Sequence, residues 1–181
     1  MKKLVVFVLI SFLVFINFQK SFAQESASSS SSQLAKVQYD LPYPGILPDN
    51  PLYFLKAVRD NLWGFFITDP LKKSDYDLLM ADKRLVSSEY LLNEGKTDLA
   101  ITTLSKAGNY FDQAISQAYK VKTQGDDANS ILSRLLSASK KHQFVIRQME
   151  EKSKGDIKFN LRLFEQRALD FQGKVEIIKS Q

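Results

Sequence analysis

The sequence predicts an all-α protein: an up-down antiparallel bundle of four long helices, with a short N-terminal helix and a proline-rich strap. Three observations carry this. From residue 70 onward apolar residues recur at alternating steps of three and four, the spacing that holds one helix face against its partners. Glycines and Asx-Pro pairs punctuate those rows where helices stop and start. No period-two alternation of useful length interrupts them.

Residues 1–23 read as a signal peptide. Met1-Lys2-Lys3 is a positive start, and residues 4–18 are apolar except for Ser11 and Asn17. Ser21-Phe22-Ala23 puts small residues at the two positions a signal peptidase reads. Cleavage is expected between Ala23 and Gln24. A spanning helix needs about 20 residues, so an uncleaved anchor is the lesser alternative. Either way the domain is expected outside the cytoplasmic membrane: secreted, periplasmic or at the cell surface. Residues 24–38, with serine unbroken over 28–32, have too little apolar surface to offset chain entropy and read as a disordered tether.

Residues 39–181 are expected to form one domain. The stretch 39–51 holds four of the five prolines, Pro42, Pro44, Pro48 and Pro51, together with Gly45. Proline blocks helix here. Leu41, Tyr43, Ile46 and Leu47 are too many apolar residues for an idle loop, so an extended strap on the bundle is expected.

Asn50-Pro51 is a helix-start signal, and the first helix is expected over about 51–67. Leu55, Val58, Leu62 and Phe65 share a face there, with Trp63 and Phe66 widening it. Asp69-Pro70 repeats the start signal for a helix over about 70–94, with Gly95 as its stop. Its stripe is Leu71, Leu78, Ala81, Leu85 and Leu92, with Leu79 and Val86 beside it. The next helix is expected over about 98–124, on the row Leu104, Ala107, Phe111, Ala114, Ala118 and Val121. A fourth, over about 127–153, carries Ala128, Ile131, Leu135, Ala138, His142, Val145 and Met149. The last, over about 156–179, carries Ile157, Leu161, Phe164, Ala168, Phe171, Val175 and Ile178. Short connections imply antiparallel neighbours. Gly108 and Gly173 fall inside helices and weaken them by about 1 kcal/mol each.

Residues 39–56 read Tyr-Asp-Leu-Pro-Tyr-Pro-Gly-Ile-Leu-Pro-Asp-Asn-Pro-Leu-Tyr-Phe-Leu-Lys. This resembles the opening of a bacterial family known as domain of unknown function 5667, with its Pro-Gly-x-Leu-Pro-Asp-x-Pro-Leu-Tyr-x-Leu-Lys signature. The Thr68-Asp69-Pro70 turn, then Arg84-Leu85 through Leu92, Gly95-Lys96 and Ala100, continue the likeness, which covers about residues 39–120. The resemblance implies a helical, often exported protein. It brings no activity and no site residues.

The chain has 181 residues, 44% of them hydrophobic and 25% charged, the values of an ordinary globular domain. It has no cysteine, which excludes disulfides, thiolate metal sites, cysteine nucleophiles and a lipid-bearing cysteine. The formal charge is +5, but Lys2, Lys3 and Lys20 lie in the leader, leaving 22 basic against 20 acidic residues, or +2. Nucleic acid is therefore not an expected partner. The balance is uneven along the chain: residues 24–98 carry 8 basic and 11 acidic residues, and residues 134–181 carry 11 and 6. Complementary packing of helices is the plainer cause, and a basic face toward an anionic envelope polymer or lipid headgroups the sharper one.

Catalytic motifs are sparse. Gly95-Lys96-Thr97 resembles the tail of a phosphate loop, but Tyr90 stands where another glycine is required and no strand precedes it. Ser137 and Lys140 have a Ser-x-x-Lys spacing, but its partner motifs are absent. His142 is the only histidine. It lies on an apolar row and is expected as a seam residue with one hydrogen-bond partner. Asp75, Asp77, Asp82, Asp126-Asp127 and Glu150-Glu151 show no calcium-loop spacing. The aromatics Tyr39, Tyr43, Tyr53, Phe54, Trp63, Phe65 and Phe66 are expected to pack the strap and first helix onto the bundle, an exposed groove for a peptide or glycan being the alternative.

The expected function is a non-catalytic exported bundle, a structural or protein-interaction module of the cell envelope. No catalytic residue, cofactor or metal site is expected. An envelope protein or anionic polymer is the expected partner, with membrane contact only through an uncleaved leader. An extracytoplasmic ligand-binding or sensing bundle is the alternative. A hydrolase assembled around His142 and Ser137 stands behind both.

Overall fold

The computed structural model describes residues 38–181. The leader, its cleavage site and residues 24–37 of the tether lie outside the described residues. Those described form five helices and no strand: α1 Tyr53–Phe66, α2 Pro70–Asn93, α3 Thr97–Thr123, α4 Asn129–Glu151 and α5 Gly155–Ser180. An extended strap precedes α1.

Local chemistry sets the ends. Asp69 is extended, and its side chain accepts the Lys72 amide at 2.8 Å with Pro70 at the first helical position, so the Asx-Pro signal caps α2 as expected. The α2 stop is Gly95, at φ +77°, a backbone region that a side chain disfavours. There the Lys96 amide returns to the Leu91 carbonyl at 2.9 Å and the Gly95 amide to Leu92 at 3.0 Å, satisfying orphan carbonyls. Asn50-Pro51 behaves differently. Asn50 Oδ1 accepts from the Leu52 amide at 2.9 Å and closes a turn, and α1 begins only at Tyr53.

The expected rows of the last three helices supply most of the core. On α2 only Leu78, Ala81 and Leu85 of the expected stripe are buried. Leu71 and Leu79 are exposed, Leu92 is half-buried, and Leu91 takes the inward place. Leu104, Ala107, Phe111, Ala114, Ala118 and Val121 of α3 are all buried, as is the whole α4 row from Ala128 to Met149, His142 included. On α5, Leu161, Ala168, Phe171, Val175 and Ile178 are buried. One cluster centres on Phe111, Leu135 and Phe171, and a second on Leu85, Val145 and Leu161. The alanines of α3 let neighbouring helices approach closely.

The helices pack as two hairpins, α2 with α3 and α4 with α5. Within a hairpin they are antiparallel. Ser74 Oγ donates to the Ala114 carbonyl and Ser88 Oγ to that of Ala100, both from α2 to α3. Arg147 pairs with Glu165, and Arg162 with Glu150. Between hairpins the neighbours are parallel. Asp75 meets Arg134 and Asp82 meets His142 from α2 to α4, while Asp112 meets Arg167 and Lys122 meets the Ile178 carbonyl from α3 to α5.

The main correction concerns α1. Leu55, Val58, Leu62 and Phe65, expected to face the bundle, are exposed, and so are Phe54, Trp63 and Phe66. The side turned inward is instead Asp60 and Gly64, the two buried residues of the helix. Polar contacts fix this orientation. Tyr76 of α2 donates to the Asp60 carbonyl, and Lys56 Nζ donates to the carbonyls of Pro44 and Ile46 in the strap. A Cβ on Gly64 would lie 2.8 Å from the Tyr76 ring, so glycine permits this approach.

Candidate functional site

The densest polar arrangement in the interior joins the strap, α2 and α4. The row that buries the apolar residues of α4 also carries His142 inward, and Asp82, one turn of α2 after Leu78 and next to Ala81, meets it. Asp82 and His142 are each 3% exposed. His142 Nε2 lies 2.7 Å from Asp82 Oδ1, and the Tyr39 hydroxyl donates to Asp82 Oδ2 at 2.6 Å. Burial first, and the adjacent Asp82 second, push the Tyr39 hydroxyl well above the usual tyrosine range, keeping it a donor.

The network continues through apolar contacts. The Phe111 ring of α3 meets the His142 ring edge-on at 4.9 Å between centroids and stacks on Phe171 of α5 at 4.7 Å. Strap and four long helices are thus tied in one layer, from Tyr39 through Asp82, His142 and Phe111 to Phe171.

This geometry suits a structural lock better than chemistry. His142 is the expected seam residue, with Asp82 as its partner. It lines none of the four grooves centred on Asp60, Tyr43, Ile157 and Tyr119. Ser137, the proposed nucleophile, donates to the Ser133 carbonyl of its own helix and is not brought to His142. Lys140 is half-buried on the same helix without a hydrogen bond to Ser137 among the described residues.

The remaining candidates scatter. Gly95-Lys96-Thr97 is the α2–α3 connection. Asp75 pairs with Arg134 at 2.6 Å on the surface, and Glu150 with Arg162 at 2.9 Å. Asp127 accepts from the Asn129 amide at α4's start, while Glu151 is exposed. Asp77 is fully buried beside Lys73 at 2.9 Å, with its Oδ2 lacking a partner, and burial pushes its carboxyl up. No group of three or more His, Asp or Glu residues able to hold a metal occurs among the described residues. All four arginines of residues 134–181, at 134, 147, 162 and 167, sit in ion pairs with acids on other helices. Lys174 joins them on Asp112, while Lys140, Lys141, Lys152, Lys154, Lys158 and Lys179 form no ion pair among the described residues.

Two surfaces stand out instead. One is a groove of about 690 Å³ flanked by the strap, α2 and α4, lined by Tyr43, Tyr90, Lys141 and Phe144 among others. The other is the outward side of α1. Sequence reasoning missed the latter because it assigned the apolar stripe to the core. The available signal was Gly64 and Asp60 opposite the stripe, a small residue and an acid where a close contact was needed.

Among the described residues no helix is long and apolar enough to cross a membrane. No curated protein sequence and no solved structure matches the chain. A family match does exist, and it runs farther than the motif likeness. It starts at Gly45 in the strap, takes in α1 with its inverted face and the layer's Asp82, Phe111 and His142, and ends at the start of α5. Over residues 45–156, more than half its length, the chain matches and therefore belongs to the family described as Domain of unknown function (DUF5667).

Proposed function

We propose that this protein is a non-catalytic, exported interaction module of the cell envelope, which docks through the outward face of α1. The observation that carries the reading is the inverted helix. Six large apolar side chains, Phe54, Leu55, Val58, Leu62, Phe65 and Phe66, face solvent while Asp60 and Gly64 face the bundle. Contiguous apolar surface of that size on a soluble domain marks an interaction site. The leader read in residues 1–23 supports an extracytoplasmic address, with release between Ala23 and Gln24. The sealed Tyr39–Asp82–His142 cluster supports a scaffold over an enzyme.

Fractionation of cells producing the full chain tests this. The protein is expected in the envelope fraction, trimmed to start at Gln24, and a Phe65→Ser, Phe66→Ser variant is expected to be released. A cytosolic, untrimmed protein would overturn it.

A second reading, an extracytoplasmic ligand-binding bundle, draws on the groove lined by Tyr43, Tyr90 and Phe144. Thermal-shift measurements with peptide and glycan fragments test it. A Tyr90→Ala variant that responds to every fragment as the parent does would remove it.

A further inference from the structure

We infer that the groove flanked by the strap, α2 and α4 binds a glycan chain that carries spaced acidic groups. The inference rests on the ligand-binding reading of that groove and names its ligand. The outward face of α1 plays no part in it.

The groove is longer than its first cavity. A second hollow, of about 380 Å³, continues it along the α2–α4 seam, and Glu89 and Asn93 line both. Unpaired cations gather there. Lys141 lines the first hollow, and Lys152 and Lys154 line the second. None of the three forms an ion pair among the described residues, whereas every arginine of residues 134–181 does. These lysines give a place to the anionic polymer that the uneven charge suggested. At about 1.5 Å per residue, Lys141 and Lys152 stand about 16 Å apart along α4, so they mark two ends of an elongated ligand. The parallel register that pairs Asp75 with Arg134 and Asp82 with His142 sets Glu89 level with Met149, between those ends. A dense polyanion would meet that carboxylate midway. A chain with separated acids and hydroxyls between them does not.

The walls favour sugar rings over peptide. Tyr43 and Tyr90 are 79% and 48% exposed, and Phe144 is half-buried beside them. Aromatic faces are electron-rich and suit the C–H faces of a sugar. Glu89, Asn93 and Gln148 bring a carboxylate and two amides for hydroxyls, and none of these side chains hydrogen-bonds within the described residues. A peptide would be held through its backbone, and the walls have little to pair with it. The mid-helix backbone groups of α2 and α4 are spent within the helices, and Pro42 and Pro44 remove two donors from the strap.

Titration calorimetry on the full chain tests this with four probes. They are a hyaluronan oligosaccharide, in which carboxylated and neutral sugars alternate, a neutral chitin oligosaccharide, polyphosphate and oligoglutamate. Hyaluronan is expected to bind tightest. Tyr90→Ala is expected to weaken it at least about five-fold, the loss of an aromatic anchor. Lys141→Gln with Lys152→Gln is expected to weaken hyaluronan and leave chitin unchanged. Both variants should melt as the parent does, since Tyr90 and Lys152 are exposed and Lys141 is half-buried. Chitin or polyphosphate binding as tightly as hyaluronan overturns the inference, and so does the absence of any hyaluronan binding. If oligoglutamate binds through Tyr90 and neither glycan does, the ligand-binding reading stands and the glycan falls. If Tyr90→Ala answers every probe as the parent does, both fall.

Discussion

Tyr39 reaches across 43 positions of sequence to donate its hydroxyl to Asp82 at 2.6 Å, closing the strap over a carboxylate that also holds His142. Removing that hydroxyl leaves a buried acceptor short of a partner, which costs about 1–3 kcal/mol. Tyr39→Phe should therefore lower the melting temperature by several degrees and expose residues 40–47 to limited proteolysis, while helix content by circular dichroism stays the same. A variant with the parent's cleavage rate in the strap would show that the hydroxyl does not hold it.

Asp82 and His142 should behave as a coupled pair. His142→Leu leaves the buried Asp82 side chain with Tyr39 as its one remaining partner, and a buried polar group short of a partner costs about 1–3 kcal/mol. Asp82→Leu combined with His142→Leu should cost less than the two single changes added, by about 0.5–3 kcal/mol. Urea unfolding of the four proteins in the cycle measures this. Strict additivity would mean the 2.7 Å contact contributes no coupling.

Two acids should give opposite pH responses. Burial would push Asp112 up, but the Lys174 ammonium and Arg167 guanidinium, each 2.7 Å from a carboxylate oxygen, outweigh it and hold the group below 3.8. Its stabilisation is present above 3.8 and is lost as pH falls through the depressed value. Because Asp112 is about a third exposed, Asp112→Asn should cost under about 1 kcal/mol at pH 7 and nothing at low pH. Asp77 runs the other way. Burial raises it above 3.8 despite Lys73, so its favourable contribution is present below 3.8 and lost as pH rises through the raised value. Asp77→Asn should flatten that decline. Melting temperatures across acidic pH check both, and parallel profiles for the two variants would contradict the assignment.

The two helical glycines should separate by their surroundings. A Cβ at Gly173 meets nothing within 4 Å, so Gly173→Ala should gain about 0.5–1 kcal/mol of helix propensity. A Cβ at Gly108 would sit 2.6 Å from an Arg167 guanidinium nitrogen. Gly108→Ala should displace that arginine from Asp112 and return less than Gly173→Ala does. Equal gains in melting temperature would show that Arg167 has no preferred seat there.

How legible this was in the sequence depends on which contact did the positioning. The α3, α4 and α5 rows were readable because helix period and burial coincide there, down to His142 inside the α4 row. Asp69-Pro70 was readable because a cap is local chemistry. The Asp82 partner of His142 lies 60 residues away and no spacing rule reaches it. On α1 the period was right and its direction wrong. An apolar stripe states that a face differs from the rest of the helix, and the Tyr76 hydrogen bond and the Gly64 contact decide which way it points. Parallel pairing between hairpins also escaped, since loop length governs only successive helices.

That parallel pairing bears on the order in which the chain folds. Contacts inside each hairpin close short loops, as Ser88 to Ala100 and Glu150 to Arg162 do, only 12 residues apart. Every α2–α4 and α3–α5 tie closes a far longer one, such as the 59 residues from Asp75 to Arg134. Short closures lose less entropy and come first, so the hairpins zip separately and dock afterwards. Kinetic φ-values should accordingly run higher at Ser88 and Leu161 than at Asp82 and His142, where the two halves finally meet.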